Sequence, residues 1–383
     1  MPSKRSHAPL SASSAHRWLV CTPSMRLEQT LPDTDESSKY AVEGTLAHSL
    51  CEWKILHDVL KKKMGRRRKP EAADEEMERC TDMYRDFVEE EWNSLKKETK
   101  DAVLMVEQRL EFNDYVPDGF GTSDAVLISD NMLEVIDFKY GKGVPVDAKE
   151  NPQLRLYALG AYLGYAFIFD VDVVKTVVFQ PRLDSVSSET VKVEDLLEWA
   201  ETYVKPRAKM AFEGRGQYVV GEHCRFCRAA AICRARAEEA FKVIDHEKTD
   251  PPLLSDDEIP DILDKIPTAE AWIDAVKAYA RERAVVDGIK WRGYKLVEAR
   301  TQRRITDPIA ATDALLAKDY ELEEFTNTKL KGLTDLQRLL GKKQFDELLG
   351  PFIEKPNGDP TLVPESDKRP EYNTLEQAFK EEM

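Results

Sequence analysis

Two carboxylates and a lysine carry the chemical content of this 383-residue sequence. Asp137 and Lys139 interrupt the apolar run Val135, Ile136, Phe138 in "EVIDFKYGKG", and Asp124 stands at the head of the preceding run, in "GTSDAVLIS". A charge inside a buried strand is expelled unless something pairs with it. Period-2 alternation sends Asp137 and Lys139 to the same face. Antiparallel pairing through a turn at Ser129, Asp130 and Asn131 brings Asp124 up to Asp137. Apposed carboxylates repel unless a divalent cation lies between them. Magnesium takes hard oxygen ligands and keeps several waters, so it suits such a pair. Lys139 would orient or activate an attacking water and offset charge on a phosphate. This is phosphodiester hydrolysis chemistry, although the D-x-K triplet alone also fits a buried Asp-Lys ion pair.

The elements that must hold these residues follow from periodicity. "SASSAHRWLVC" reads as a serine-capped short helix ending near Cys21. In "EGTLAHSLCEWKILHDVLKKK" the residues Leu46, Leu50, Trp53, Ile55, Leu56 and Leu60 recur at helical spacing, with His48 and Glu52 four apart on one face. A second helix covers Asp74 to Lys97, and the strand-like runs "AVLMVEQRLEF", "GTSDAVLIS" and "MLEVIDFKY" follow. Next come a helix, "NPQLRLYALGAYLGYAF", a strand, "VVKTVVFQPR", and helical pattern from Glu194 to Phe212. This order predicts an α/β layer on a mixed sheet.

With "GTSD" ahead, "IDFK" at its centre and "QLRLY" on the next helix, the segment resembles the RecB-like branch of the PD-(D/E)XK nuclease superfamily. "GTLAH", Gly44 to His48, matches the G-x-x-x-H context of that branch's upstream helix. The resemblance implies a restriction-endonuclease-like core, a central mixed sheet flanked by helices, with a smaller, mostly helical C-terminal domain. It further implies that His48, Asp124, Asp137 and the backbone carbonyl of Phe138 hold magnesium or manganese, and that Lys139 is the catalytic lysine. Gln153 and Tyr157 fit a Q-x-x-x-Y signature near DNA and the active site, and Glu52 fits a frequent acidic companion.

Cys224, Cys227 and Cys233 form C-x2-C-x5-C, whereas Cys51 and Cys80 fall inside helical patterns and read as ordinary buried residues. Three clustered thiolates need a fourth donor, for which Cys21 is the candidate, and a reducing compartment argues against structural disulfides. Four-cysteine zinc sites also use C-x2-C pairs, so spacing alone leaves Zn2+ and iron-sulfur open. A distant N-terminal cysteine with such a group after the nuclease core resembles the iron-sulfur nucleases, AddB-type recombination nucleases and the nuclease of CRISPR spacer acquisition among them. That resemblance assigns a [4Fe-4S] cluster to Cys21, Cys224, Cys227 and Cys233, stapling the two ends of the domain. "SSAHRWLVCTPS" and "WRGYKLVEARTQRR" extend a further likeness, to a phage-type family of uncharacterised proteins, over nearly the whole chain.

With 42% hydrophobic residues the chain can bury a sizeable core. No window approaches the ~18 apolar residues of a membrane span, and "MPSKRSHAPLSASSAHRW" lacks an apolar signal core, so a cytoplasmic protein is expected, in a bacterial host cell if phage-encoded. The net charge of −15 argues against a uniformly basic nucleic-acid coat, but "KKKMGRRRK" (Lys61 to Lys69), the arginines between Arg225 and Arg236, and Lys290, Arg292, Lys295, Arg300, Arg303 and Arg304 are basic islands. Each reads equally as a solvated surface, and "IKWRGYKLVEAR" reads as a short strand or hairpin. The polar, proline-bearing stretch before residue 260 divides the chain into a nuclease domain (1–245), a linker (246–260) and a C-terminal accessory domain (261–383) with a possible DNA-binding surface. The expected function is a metal-dependent DNA exonuclease working on ends or single strands with replication or recombination proteins. The alternative is a non-catalytic DNA-binding or scaffold protein that keeps the fold and cluster.

Overall fold

Alternating apolar residues turn each of the three consecutive runs into a strand, and two later segments complete the same sheet. The computed structural model describes residues 8–31, 39–242, 256–297, 312 and 332–353. The strands β1 (Val103–Glu111), β2 (Phe120–Ile128), β3 (Asn131–Phe138), β4 (Val171–Gln180) and β5 (Ser185–Lys192) lie in the sheet in chain order. All neighbouring pairs are antiparallel except β3 and β4, which run parallel. A parallel pair needs a crossover long enough to return across the sheet.

Helices α1 (Ala15–Trp18), α2 (Ser24–Gln29), α3 (Lys39–Lys54) and α4 (Glu75–Glu98) precede the sheet, and α5 (Pro152–Tyr165) makes the crossover. After β5 come α6 (Val193–Trp199), α7 (Lys205–Glu213), α8 (Arg234–Phe241) and α9 (Ile259–Val286), and later α10 (Leu333–Leu349). On one face Val126, Ile128, Leu133, Val135, Val174 and Val178 pack with Trp18 of α1, Leu154 and Leu159 of α5 and Leu196 of α6. On the other, Ala125, Leu127, Ile136, Phe138, Val177 and Phe179 meet Leu50 of α3 and Met77, Tyr84 and Val88 of α4. The chain is therefore α/β, a mixed five-stranded sheet between two helical layers.

The α3–α4 layer is locked by a buried cation. Lys54, 1% exposed, donates from Nζ to the Glu78 carbonyl (2.9 Å), Thr81 Oγ1 (2.9 Å) and Asp82 Oδ1 (2.8 Å). An ammonium is tolerated at that depth because each of its three protons has an acceptor.

The fifth strand is absent from the sequence reading, because "SVSSETVK" carries small polar residues on its alternating exposed face. Of the segment expected to form a short strand or hairpin around residue 290, described residues 288–297 make turns and no ladder, and 298–304 lie outside the described residues. The chain forms two compact units, Met1–Val297 and Glu298–Met383, so α9 lies in the first; the expected linker falls mostly on 246–255, also outside the described residues. Among the described residues no helix is long and apolar enough to cross a membrane.

Candidate metal centre

Strand register gathers the acids. Val106 pairs with Ala125 and Gln108 with Ser123, which sets Glu107 of β1 opposite Asp124 of β2. The β2–β3 ladder ends at Ala125 with Ile136, and one further step in the same register sets Asp124 opposite Asp137. Three carboxylates thus stand in one row across three strands, where like charges directly opposite each other destabilise a sheet. At this row the ladder opens, and Asp124 Oδ2 accepts from the Phe138 backbone N–H at 2.7 Å. Glu107 takes a left-handed backbone conformation, φ 50°, which a non-glycine residue adopts at a cost of about 1–3 kcal/mol.

His48 reaches the row from α3. The apolar side of that helix, Ala47, Leu50 and Cys51, is buried, while Thr45 and Ser49 return their hydroxyls to the carbonyls of Ala41 and Thr45. The His48 ring meets the Phe138 ring edge-on at 5.5 Å, and Nδ1 lies 2.8 Å from Asp124 Oδ1. Ligand atoms of His48, Glu107 and Asp124 all fall within 4.8 Å of one another. Burial alone would lower the histidine's pKa, but the charge and hydrogen bond of Asp124 and the charge of Asp137 hold it above the ordinary value. Burial, then the charge of Asp124, raises Glu107 to about 7. One imidazole and hard carboxylate oxygens are a donor set for magnesium or manganese.

Asp137 and Lys139 share a face, as period 2 requires, and form an ion pair, Nζ to Oδ2 3.0 Å. The backbone N–H of Lys139 donates to the Phe179 carbonyl, carrying the β3–β4 pairing one residue beyond the strand. Asp137 is 4% exposed, and its Oδ2 takes no hydrogen bond besides the ammonium contact. Burial pushes the Asp137 pKa up, offset in part by Lys139. For Lys139 burial acts downward, yet Asp137 and Asp124 keep its pKa above the ordinary lysine value, so the side chain is an ammonium at neutral pH.

Helix α5 brings the remaining residues. Asn151 caps it by accepting from the N–H groups of Gln153 and Leu154, and Pro152 fills the first turn. Gln153 Nε2 then lies 3.3 Å from both Asp137 Oδ1 and the Tyr157 hydroxyl, and its Oε1 accepts from Lys139 Nζ at 3.4 Å. Gly121 of "GTSD" makes room for the tyrosine, since a Cβ there would stand 2.5 Å from Tyr157 Cε1.

Of the expected site residues, His48 and Asp124 come together, and Asp137, Lys139, Gln153 and Tyr157 form a connected set beside them. Phe138 contributes its backbone N–H to Asp124, and its ring is buried. Glu52 does not join: on α3 it is captured by Arg67, whose guanidinium binds both carboxylate oxygens, one at 2.8 Å. Glu107 was missed because no motif marks it. The available signal was the one acid inside "VLMVEQRL", directly across the hairpin from Asp124.

The cysteines lie apart from this row. Cys51 and Cys80 are buried in α3 and α4, as their helical pattern implied. The His223 ring nitrogen Nε2 lies 2.9 Å from the Val219 carbonyl, and interaction with Cys21 and Cys224 raises its pKa to about 10. Burial raises the Cys224 thiol, but His223 and the Gly221 N–H bring it below its ordinary pKa; burial, then Glu28, pushes Cys227 up to about 12. Around them Arg17 bonds Glu28 (2.6 Å) and the Phe226 carbonyl (2.9 Å), and Glu28 accepts from the Arg228 N–H (2.7 Å). Among the described residues the cysteines do not gather within 4.8 Å as the acid row does, whereas tetrahedral zinc at ~2.3 Å would draw its sulfurs to about 3.8 Å of one another.

A family model described as "Protein of unknown function (DUF2800)" matches residues 7–370. A solved structure described as "Crystal structure of SSO0001" is similar at 15% identity and a TM-score of 0.21, covering 58% of this chain and 96% of that one. A similarity that slight carries no argument.

Proposed function

Because the chain belongs to the DUF2800 family, whose description leaves the activity open, we propose from the site itself that it is a metal-dependent DNA nuclease, an exonuclease working on ends or single strands. The observation that supports this most is the row Glu107, Asp124 and Asp137, with His48 bonded to the central Asp124 and Lys139 paired with Asp137 at one end. A purely structural sheet gains nothing from three facing carboxylates.

His48, Glu107 and Asp124 would hold magnesium or manganese, with Asp137 completing the acid row; a bound divalent ion supplies Lewis acidity and acidifies water. Asp137 and Asp124 hold Lys139 as an ammonium. Fixed by Asp137 and Gln153, it faces the charge that grows on the phosphate. In the reaction a water oxygen bonds to phosphorus, the opposite P–O ester bond breaks, and the leaving oxygen takes up a proton. The products are a phosphate monoester and a hydroxyl.

The four cysteines would hold a [4Fe-4S] cluster, with zinc as the competitor. The Arg17 bond to the Phe226 carbonyl, which ties the segment of Cys21 to the loop of Cys224 and Cys227, supports a shared site, and iron and sulfide content after purification without oxygen decides between the metals. The activity test uses end-labelled single-stranded, blunt and tailed DNA with magnesium, manganese or EDTA. Wild type should cleave only with metal, Asp137→Ala should be inactive though folded, and Lys139→Ala should lose turnover more than metal binding. Wild-type rates in both variants at saturating metal would sink the assignment.

A further inference from the structure

Between α3 and α4 the segment "KKKMGRRRK" presents Lys61, Lys62, Lys63, Arg66 and Arg68 as exposed side chains. None of the five makes an ion pair or side-chain hydrogen bond with another described residue, in a chain that carries 71 acids against 56 lysines and arginines. The two remaining cations of the segment are anchors. Arg67 grips both carboxylate oxygens of Glu52, one turn along α3 from His48, and Lys69 binds Glu78 of α4 at 2.6 Å. Two residues with positive φ, Lys61 (52°) and Gly65 (57°), turn the backbone ahead of the anchors. The tie to the acid row is electrostatic as well as covalent, since the charges of Arg67 and Glu52 both act on Glu107.

Five neighbouring exposed cations with no partner among the described residues, beside a carboxylate row in an acidic chain, form a surface suited to a polyanion. We infer that the Lys61–Lys69 segment is a backbone-tracking loop that binds the phosphates of the nucleic-acid strand being cleaved. This rests on the nuclease reading and deepens it. The cations contact phosphate oxygens rather than bases, so the loop confers affinity and register without sequence preference. Each phosphate neutralised releases counterions, which gives the loop a measurable signature in salt.

The test uses full-length Asp137→Ala protein, so that the strand survives, and a fluorescein-labelled single-stranded oligonucleotide in EDTA. Binding is titrated between about 50 and 200 mM KCl. Adding Lys62→Gln, Lys63→Gln, Arg66→Gln and Arg68→Gln, with Arg67 kept, should make the slope of log affinity against log salt shallower by about 2–3, at roughly 0.7 per lost contact on a single strand. A matched variant, Lys96→Gln, Lys97→Gln, Lys100→Gln and Lys192→Gln, removes equal charge at the other end of the sheet and should retain the parental slope. An unchanged slope in the loop variant overturns the inference, as does equal flattening in both variants. So does a loop variant that loses binding to phosphatidylserine vesicles but not to DNA. Cleavage of the same oligonucleotide by wild type with magnesium is scored separately, so a failure of the loop and a failure of the hydrolytic reading give different results.

Discussion

Replacing Glu107 by glutamine should change how the metal-free protein responds to pH. The carboxyl is raised from an ordinary 4.5 to about 7 by burial and by Asp124 across the strand. A folded-state pKa above the unfolded value means that the folded chain holds the proton more tightly. The associated stability is present in full below pH 4.5 and is lost as pH climbs through 7. Linkage sets that loss at about 3.4 kcal/mol for a fully sheltered group, and solvent screening of a half-buried carboxylate reduces it to about 2 kcal/mol. Glutamine does not titrate. In EDTA, urea unfolding at pH 4.5 and 7.5 should therefore show wild type losing about 2 kcal/mol more than Glu107→Gln over the interval. Glu134, also raised to about 7, titrates in both proteins and cancels from the comparison. Saturating manganese at pH 7.5 should restore more stability to wild type than to the variant, because a carboxylate that repels its neighbours becomes a ligand. Parallel pH curves with equal manganese gains would refute the reasoning and remove Glu107 from the site.

Gly121→Ala forces a methyl against Tyr157 Cε1, so it should cost about 1–3 kcal/mol by overpacking and lower cleavage by shifting Gln153; thermal melting together with turnover checks both effects, and a wild-type rate argues against the tyrosine's placement. Lys54→Met removes the ammonium from buried Thr81 and from Asp82, which keeps Arg85 at 2.8 Å, and should destabilise by about 1–2 kcal/mol; urea unfolding measures it, and a loss under about 0.5 kcal/mol would mean that the ammonium does not hold α3 on α4. Cys21→Ala should lose iron, melt lower and lose activity, whereas Cys51→Ala should keep its iron. Equal iron in the two would remove Cys21 from the ligand set.

Legibility in the sequence varied with the range of the physics. Strands β2 and β3 were readable because both faces are buried, and their short turn fixed the register that sets Asp124 toward Asp137. The same arithmetic across β1 and β2 identifies Glu107, but only once that hairpin's register is known, and the loop of 112–119 conceals it. An edge strand with polar alternation, β5, gives no apolar run to find. Glu52 illustrates a different limit: helical spacing put it beside His48, but its partner Arg67 arrives from a loop whose path no local pattern encodes.

The Arg17 and Glu28 contacts impose an order of events on synthesis. The helices that carry them are translated well before one of their partners, since Arg17 must wait for the Phe226 carbonyl, 209 residues later. At about 5–20 residues per second, roughly 10–40 s pass between the two. Throughout that interval Trp18 and Leu19, both essentially buried in the finished fold, lack the partners that close over them from α7 and the cysteine loop. A ribosome stalled before residue 220 therefore carries an N-terminal segment that can pack on α5 and the sheet but lacks its closing contacts, and proteolysis should cut residues 8–31 more readily in such arrested chains than in the finished protein.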